Sequence, residues 1–358
     1  MSEGQSRLSR PGLSRSRLSV SLNFMPAFYH RHTGVTYGEP YYFDPHYRAE
    51  VECTESRFLH DILGRFGVGS AHPVPSASLF IQPIDLLKVT QGAELRFPPA
   101  AALETRGHPW AGLTPVQVER IDPDAAAHHP IVDAILRQYR EMEGMYGERA
   151  DVFGIRSGVM GIHTPYTTAH QLCGQSLFLL LMDDPGAAQS IFAKVWDIYR
   201  AIFGRLAQQL GAKAPGHLHL GDCSAAMLSP ESYRMAVLPM NRALAAGFPA
   251  SSYHSCGASS HLLEAFADIA ALTAIELGPG TDLAVAAKTL PGTELCPLID
   301  PVLMLNSTPE EVEQAVASIL DATVAAPVTT LCAWSFDTET PVKNVEALYQ
   351  TVVAARVK

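Results

Sequence analysis

A histidine and a cysteine lie two residues apart, at His254 and Cys256, in the stretch SYHSCGASSHLLEAF. Residues i and i+2 of a strand point to the same face, so these two side chains can hold one metal ion together. Glu276 and Cys332 follow at the ends of later predicted strands. Thiolate, imidazole and carboxylate are ligands of tetrahedral Zn²⁺ sites. The four residues therefore predict a zinc site, and the alternative is four unrelated polar residues.

The predicted ligand set also indicates the reaction. A zinc with two thiolates and a carboxylate carries excess negative charge and is a poor Lewis acid for making hydroxide from water. A thiol has a pKa of about 8.5, so it needs little help to become a nucleophilic thiolate. Glu276 is the weakest ligand and can leave when the thiol arrives. The expected chemistry is alkyl transfer to the sulfur of a small thiol.

These residues must be positioned by the elements that carry them. Short β-like runs alternate with longer helical patterns from about Ser21 onward, and five strand–helix units follow one another from residue 216. Such a row favours a parallel sheet with crossover helices. We therefore predict an α/β fold, a (β/α)8 TIM barrel with an N-terminal helical elaboration, which needs about 250 residues. A doubly wound open sheet is second, because no Gly-x-Gly-x-x-Gly follows an early strand.

The composition limits the class of protein. The chain has 358 residues, 47% of them hydrophobic, and a formal net charge of −10. This charge is unlike that of a nucleic-acid-binding surface, and no apolar run reaches the roughly 20 residues of a membrane span. The six cysteines are scattered singly, which is not a secreted disulfide pattern. We expect a cytoplasmic protein with no nucleic-acid or membrane partner, and a homodimer stays open.

The chain is predicted to form one folded domain after a short tail. Residues 1–20 are rich in Ser and Arg and poor in apolar residues, which predicts a disordered tail. Residues 21–358 show no internal repeat and no low-complexity linker. We therefore predict a single domain over residues 21–358.

Several stretches resemble the uroporphyrinogen decarboxylase superfamily over roughly residues 20–355. They are LFIQPIDLLKVTQGAELRF, GIHTPYTTAHQLCG, LGDCSAAMLSPESYRMAVLPMNR, YHSCG, TDLAVAAK, IDPVLMLNSTPEEV and TETPVKNVEAL. The resemblance implies a (β/α)8 barrel. Its decarboxylase members act on a porphyrinogen without metal and hold the carboxylates with an N-terminal arginine segment. Its methyltransferase members bind zinc through His-x-Cys and a later Cys, and pass a methyl group from a corrinoid protein to coenzyme M.

The chain is more similar to the zinc branch of this superfamily. Its N-terminal stretch SLNFMPAFYHRHTG contains Arg31 as the only arginine, and Cys332 stands where decarboxylases carry a histidine. The stretch LCAWSFDTETP departs from the family pattern, because it lacks the glycines that flank the later cysteine. No Asp-x-His-x-x-Gly is present, so the resemblance implies that a corrinoid comes only with a partner protein.

Other candidate residues surround the predicted site. Asp85 matches the central aspartate of the superfamily, and we predict a catalytic role for Asp85 and for Glu276. Cys296 is the rival of Cys332 as a sulfur ligand, and Cys223 lines the pocket, with a ligand role as the alternative. The alternative for Asp85 is a cap or loop-organising carboxylate. The predicted substrate contacts are His163, Tyr166, His170, Asp222 and Phe28, and for Phe28 the alternative is core packing.

Three functions follow from this reasoning. The first is a zinc-dependent methyl- or alkyltransferase with a thiol acceptor and a separate corrinoid protein as partner. The second is a cofactor-free decarboxylase of a porphyrinogen or another carboxylated substrate. The third is a non-catalytic corrinoid-binding subunit that keeps the barrel.

Overall fold

The computed structural model of the chain describes residues 18–357, which form two compact units. Unit 1 holds Ala77–Arg96 and Glu104–Thr273. Unit 2 holds the described residues before Ala77, Phe97–Leu103 and the residues from Ala274 onward. The first strand begins at Leu18, three residues before the predicted start of the domain. Residues 1–17 of the predicted tail lie outside the described residues, and the single domain stays a prediction.

The strands are short and mostly parallel. They are β1 (Leu18–Phe24), β2 (Ser78–Leu79), β3 (Glu94–Arg96), β4 (Glu104–Arg106), β5 (Asp151–Val152), β6 (Val159–His163), β7 (His217–Gly221), β8 (Ala250–Ser255), β9 (Leu272–Leu277), β10 (Glu294–Pro297) and β11 (Thr329–Phe336).

The helices range from single turns to one of 25 residues. They are α1 (Pro26–Thr33), α2 (Glu39–Phe43), α3 (Pro45–Leu63), α4 (Pro83–Thr90), α5 (Pro115–Glu119), α6 (Pro123–Ala127), α7 (Pro130–Tyr146), α8 (Pro165–Cys173), α9 (Ser176–Asp183), α10 (Pro185–Gln209), α11 (Pro230–Ser232), α12 (Leu238–Ala246), α13 (Leu263–Phe266), α14 (Leu283–Thr289), α15 (Pro301–Asn306), α16 (Pro309–Ala322) and α17 (Val342–Val357).

One sequence signal starts many of these helices. An Asp, Ser or Thr caps the first turn through its side chain, and a proline follows at the first helical position, where no amide donor is needed. Asp184 before Pro185 is one example, because its side chain accepts a hydrogen bond from the amide of Ala187. The same arrangement occurs at Asp44, Thr114, Asp122, Thr164, Ser229, Asp300 and Thr308.

Unit 1 contains three neighbouring parallel strands, β6, β7 and β8. Their register places His163 opposite Gly221 and Gly221 opposite His254, so the carboxyl ends of the three strands lie at one level. A short parallel pair, β2 with β5, and an antiparallel pair, β3 with β4, complete the strands of this unit apart from the start of β9. The long helix α10 buries an apolar face that includes Val195, Ile198 and Tyr199.

Unit 2 contains parallel strands in the order β1, β11, β10, β9. Cys296 pairs with Glu276 in the ladder of β10 and β9. The core of this unit is aromatic on one side, where the rings of Phe24 and Phe28 stack with centroids 3.9 Å apart and Phe336 packs edge-on against Phe24.

The predicted α/β architecture is confirmed, and so are the five strand–helix units that begin with β7. The strands of both units pair in parallel except for β3 with β4. An eighth strand and closure into a barrel stay predictions. Among residues 18–357, no helix is both long and apolar enough to cross a membrane.

Candidate metal centre

The ends of β7 and β8 bring two cysteines and a histidine together. Gly221 lies opposite His254 in the parallel register, and the amide of Asp222 donates to the carbonyl of His254 at 2.7 Å. Cys223 follows directly after Asp222, and Cys256 follows two residues after His254, just past the end of β8. As a result, the ligand atoms of Cys223, His254 and Cys256 all lie within 4.8 Å of one another.

This group of donor atoms fits a tetrahedral metal ion. Bond lengths of about 2.3 Å to sulfur and about 2.0 Å to nitrogen place the ligands of one zinc roughly 3.5–4 Å apart, so small side-chain movements suffice. His254 is buried, which fixes its ring, whereas both cysteines are exposed. A metal held here would therefore keep an open side. Among residues 18–357, no other group of three such side chains is this close.

The surroundings favour the thiolate form of Cys256, which is the form that binds metals. A hydrogen bond with Cys223 and another with His254 lower the pKa of Cys256 to about 4, although burial acts in the opposite direction. The Cys256 Sγ atom lies 3.8 Å from the carbonyl oxygen of Cys223.

The fully buried carboxylate of Asp222 forms hydrogen bonds that hold the ends of β7 and β8 together. Asp222 accepts hydrogen bonds from the hydroxyl of Tyr253, from Thr167 Oγ1 at 2.7 Å and from Asn241 Nδ2 at 3.4 Å. The hydroxyls of Tyr233 and Tyr253 lie 2.7 Å apart, and Asn241 Nδ2 also donates to Tyr233 Oη at 3.1 Å. Burial raises the pKa of Asp222 to about 6 despite these donors. We call these five residues the Asp222 network.

A cavity of about 280 Å³ opens beside the three donor residues. Cys223 belongs to both, so a metal held by it would face the cavity. The lining comes from α4, β6, α8 and the end of β7, and consists of Gln82, Ile84, Asp85, Lys88, His163, Thr167, Gln171 and Cys223.

The wall formed by α4 carries opposite charges one turn apart. Asp85 Oδ1 accepts from Thr105 Oγ1 at 2.6 Å, and Lys88 Nζ donates to the carbonyl of Thr105 at 3.4 Å. Burial raises the pKa of Asp85, while the Thr105 hydroxyl and the Lys88 charge act against this. Burial also lowers the pKa of Lys88. The predicted Asp85 therefore does line a cavity, together with a lysine that sequence reasoning missed.

The facing wall presents a neutral imidazole. Burial, together with the nearby charges of His254 and His219, lowers the pKa of His163 to about 3. The ring also packs against the end of β7, because a Cβ added at Gly221 would lie 3.2 Å from it. His163 is thus a predicted substrate contact that the structure places in the cavity wall.

Three other predicted substrate contacts are not among the residues that line the cavity. Asp222 is fully buried in its network, and Tyr166 is buried with its hydroxyl donating to the carbonyl of Ser224 at 3.3 Å. His170 Nδ1 lies 2.9 Å from Ser224 Oγ. Tyr166 and His170 thus both contact Ser224 in the loop after β7, and a substrate contact stays a prediction for all three residues.

The remaining predicted residues belong to unit 2. Phe28 is fully buried in the aromatic core, as the alternative of core packing expects. Its ring is therefore not exposed to a substrate. Cys332 and Cys296 lie close enough to hydrogen-bond, and Glu276 is near both. Burial raises the pKa of Cys332. Convergence of Glu276 and Cys332 on His254 and Cys256 stays a prediction.

Sequence reasoning missed most of the cavity lining. The signal that was present is helical spacing: Thr167 and Gln171 lie four residues apart on α8, and Asp85 and Lys88 lie three apart on α4. Residues with these spacings share one helix face. Recognising α4 as a helix would have paired the lysine with the aspartate.

Comparisons with known proteins agree with this fold. The sequence profile of the family described as Uroporphyrinogen decarboxylase (URO-D) matches residues 94–354. The solved structure of a methyltransferase from Methanosarcina mazei superimposes with a TM-score of 0.63 at 14% identity, covering 95% of this chain and 93% of that one. No curated protein sequence matches the chain significantly.

A second solved structure is more distant. It is a B12-independent methionine synthase from Shewanella sp. W3-18-1 in complex with selenomethionine, with a TM-score of 0.46 at 9% identity over 95% of this chain and 98% of that one.

Proposed function

The chain belongs to the uroporphyrinogen decarboxylase family, and from this we propose that it transfers a methyl or other alkyl group to a small thiol at a metal site built on His254 and Cys256. The observation that carries the proposal is the close approach of Cys223, His254 and Cys256 at the mouth of a cavity. Decarboxylation without a metal gives no role to such a group of thiols and imidazole.

The donor set is sulfur-rich, which suits Zn²⁺. Zinc bound there would lower the pKa of an incoming thiol and keep its sulfur nucleophilic. His254 and Cys256 are the anchors common to the sequence prediction and to the geometry, and the sequence assigned the remaining positions to Glu276 and Cys332. The exposed side of the cysteines leaves room for the substrate sulfur.

The cavity residues would bind and orient the acceptor. Asp85 and Lys88 offer an anion and a cation to the polar end of the thiol, while His163 and Gln171 offer neutral hydrogen-bonding groups. They line the same cavity as Cys223, which is one of the three proposed donor residues. A ligand of a few heavy atoms past its sulfur fits about 280 Å³.

The transfer step balances without a further reactant. The S–H bond of the acceptor breaks and its proton leaves to solvent. The freed electron pair forms a new S–C bond, while the bond between carbon and its leaving group breaks and its electron pair stays on that leaving group. We propose a methylated corrinoid on a separate partner protein as the donor, because the resemblance to the methyltransferase members of the superfamily implies this donor.

The test is the response of the metal to a thiol. Protein purified without a polyhistidine tag should contain zinc, and X-ray absorption at the zinc edge should show one more sulfur after addition of mercaptoethanol, homocysteine or coenzyme M. Release of a proton should accompany binding. A zinc content near zero that added zinc does not restore, or an unchanged zinc environment with every thiol, would refute the proposal.

A decarboxylase is the second candidate, and the family match together with Asp85 in the cavity favours it. A porphyrinogen carries several carboxylates and needs several cations. Lys88 is the one cationic side chain lining the cavity among the described residues, and Arg31 forms an ion pair with Glu339 in unit 2. Anaerobic incubation with uroporphyrinogen should leave it unchanged, whereas steady release of carbon dioxide would favour this candidate over the first.

A further inference from the structure

We infer that Cys223 is a ligand of the metal and supplies the sulfur that the sequence analysis assigned to Cys332. The inference rests on the proposed function, since it concerns the ligand set of the same site. Its starting point is that Cys223 is the third member of the close group formed with His254 and Cys256.

The parallel register explains why Cys223 is in place. Gly221 lies opposite His254, and two residues further along each chain are Cys223 and Cys256. The hydrogen bond from Asp222 N to His254 O, 2.7 Å long, continues the ladder one step past the end of β7. The two cysteines therefore leave neighbouring strands side by side and at the same level.

The loops that follow the two strands are also packed closely. A Cβ added at Gly257 would lie 2.7 Å from the Cβ of Ala226, which real atoms do not tolerate. Glycine at this position therefore lets the loop after Cys256 approach the turn after Cys223. Both thiols are exposed at this contact, so neither needs a change of fold to bind an ion.

Cys223 also connects the group of three donor residues to the cavity. It is the one member of the group of three that lines the cavity with Asp85 and His163. An ion bound to its sulfur faces the space from which a substrate enters. Cys332, in contrast, is 1% exposed and has Cys296, Glu276 and Glu294 as its neighbours within unit 2.

The experiment compares single cysteine variants by metal content and by sulfur count. The variants are Cys223→Ser, Cys256→Ser, Cys223→His and, as a matched control that removes one thiol of unit 2 outside the group of three, Cys53→Ser. Each is reconstituted with zinc alone, assayed for zinc per chain and zinc affinity, and examined by X-ray absorption. Cobalt(II) substitution gives an independent readout, because thiolate ligands produce an intense charge-transfer band.

We expect two sulfurs in the unaltered protein and in Cys53→Ser. Cys223→Ser should show one sulfur, a weaker cobalt band and a loss of zinc affinity beyond the about 10–100-fold typical of residues that only support a ligand. Cys223→His should retain zinc with one sulfur replaced by nitrogen. Because Cys223 is exposed, circular dichroism should be unchanged in all variants.

Two sulfurs and unchanged zinc affinity in Cys223→Ser would overturn the inference and leave the proposed function intact, since zinc would still be bound. Absence of zinc from the unaltered protein would overturn both. The two failures are therefore distinguishable from the same set of samples.

Discussion

The amide of Asp222 donates to the carbonyl of His254 at 2.7 Å, one residue beyond the end of β7. This single bond sets the level at which two loops leave their strands. The carboxylate of Asp222 is meanwhile held by buried hydroxyl and amide donors on the other side. The geometry of the candidate metal centre is therefore determined by a residue that does not need to touch the metal.

Removing one hydroxyl from the Asp222 network should lower both the stability of the protein and its affinity for zinc. Tyr253→Phe leaves the buried carboxylate without one of its donors, which costs about 1–3 kcal/mol of unfolding free energy. We expect zinc affinity to fall about 10–100-fold, as for other supporting residues. Urea denaturation and zinc titration measure the two effects. Tyr139→Phe, whose hydroxyl donates to Glu143, is the control and should leave zinc affinity unchanged.

The close approach at Gly257 offers a test by compensation. Gly257→Ala places a Cβ against Ala226, so we expect a loss of about 1–3 kcal/mol from overpacking and weaker zinc binding. Ala226→Gly removes the opposing atom, and the double variant should recover most of both losses. A double variant as impaired as Gly257→Ala would contradict the contact as the cause.

Asp85 is expected to act on the substrate and not on the metal. Asp85→Asn removes the charge from the cavity wall while keeping an acceptor for Thr105. Zinc content should be unchanged, and kcat/KM for thiol alkylation should fall by about 10²-fold or more if the carboxylate orients the acceptor or moves a proton. The exposed Asp124→Asn is the matched control. Loss of zinc in Asp85→Asn would contradict this assignment.

Glu55 gives the protein a pH-dependent stability that is independent of the site. It is buried on α3 and accepts a hydrogen bond from the hydroxyl of Tyr37. Burial raises the pKa of Glu55 from 4.5 to about 7. The folded state thus keeps a proton that the unfolded state has lost, and stability falls as pH rises between these two values.

The size of this effect is on the order of 3 kcal/mol between pH about 4.5 and pH about 7. Glu55→Gln stays neutral and can still accept from Tyr37, so the variant should lose this part of the pH dependence and be more stable than the unaltered protein at pH about 8. Urea denaturation across that range measures it. Glu50→Gln, exposed on the same helix, should behave like the unaltered protein.

The sequence predicted those parts of the site that depend on the regular alternation of side chains along a single strand. His254 and Cys256 were predicted as a pair because side chains two residues apart on a strand point to the same face. The cavity wall at Asp85 lies on helix α4, which begins at Pro83, and the sequence pattern did not predict a helix there. Without the helix, Lys88 could not be predicted to lie beside Asp85.

The choice among cysteines could not be made from sequence. Strand ends are recognisable one at a time, but which ends are neighbours depends on pairing between distant segments. The ladder of β7 and β8 places Cys223 beside Cys256. The burial of Phe28 had the same origin, because it stacks on Phe24, and Phe24 packs against Phe336 from the far end of the sequence.

The pairing of β1 with β11 has a consequence for how the chain is made. Ser19 Oγ lies 2.5 Å from Thr330 Oγ1, and 311 positions separate the two residues. During synthesis, β1 therefore waits for nearly the whole chain before its ladder partner leaves the ribosome, and Phe24 stays without Phe336 for that time. Contacts of such long range slow folding and leave apolar surface open to aggregation. Completion of unit 2 therefore benefits from protection of β1 while the rest of the chain is synthesised.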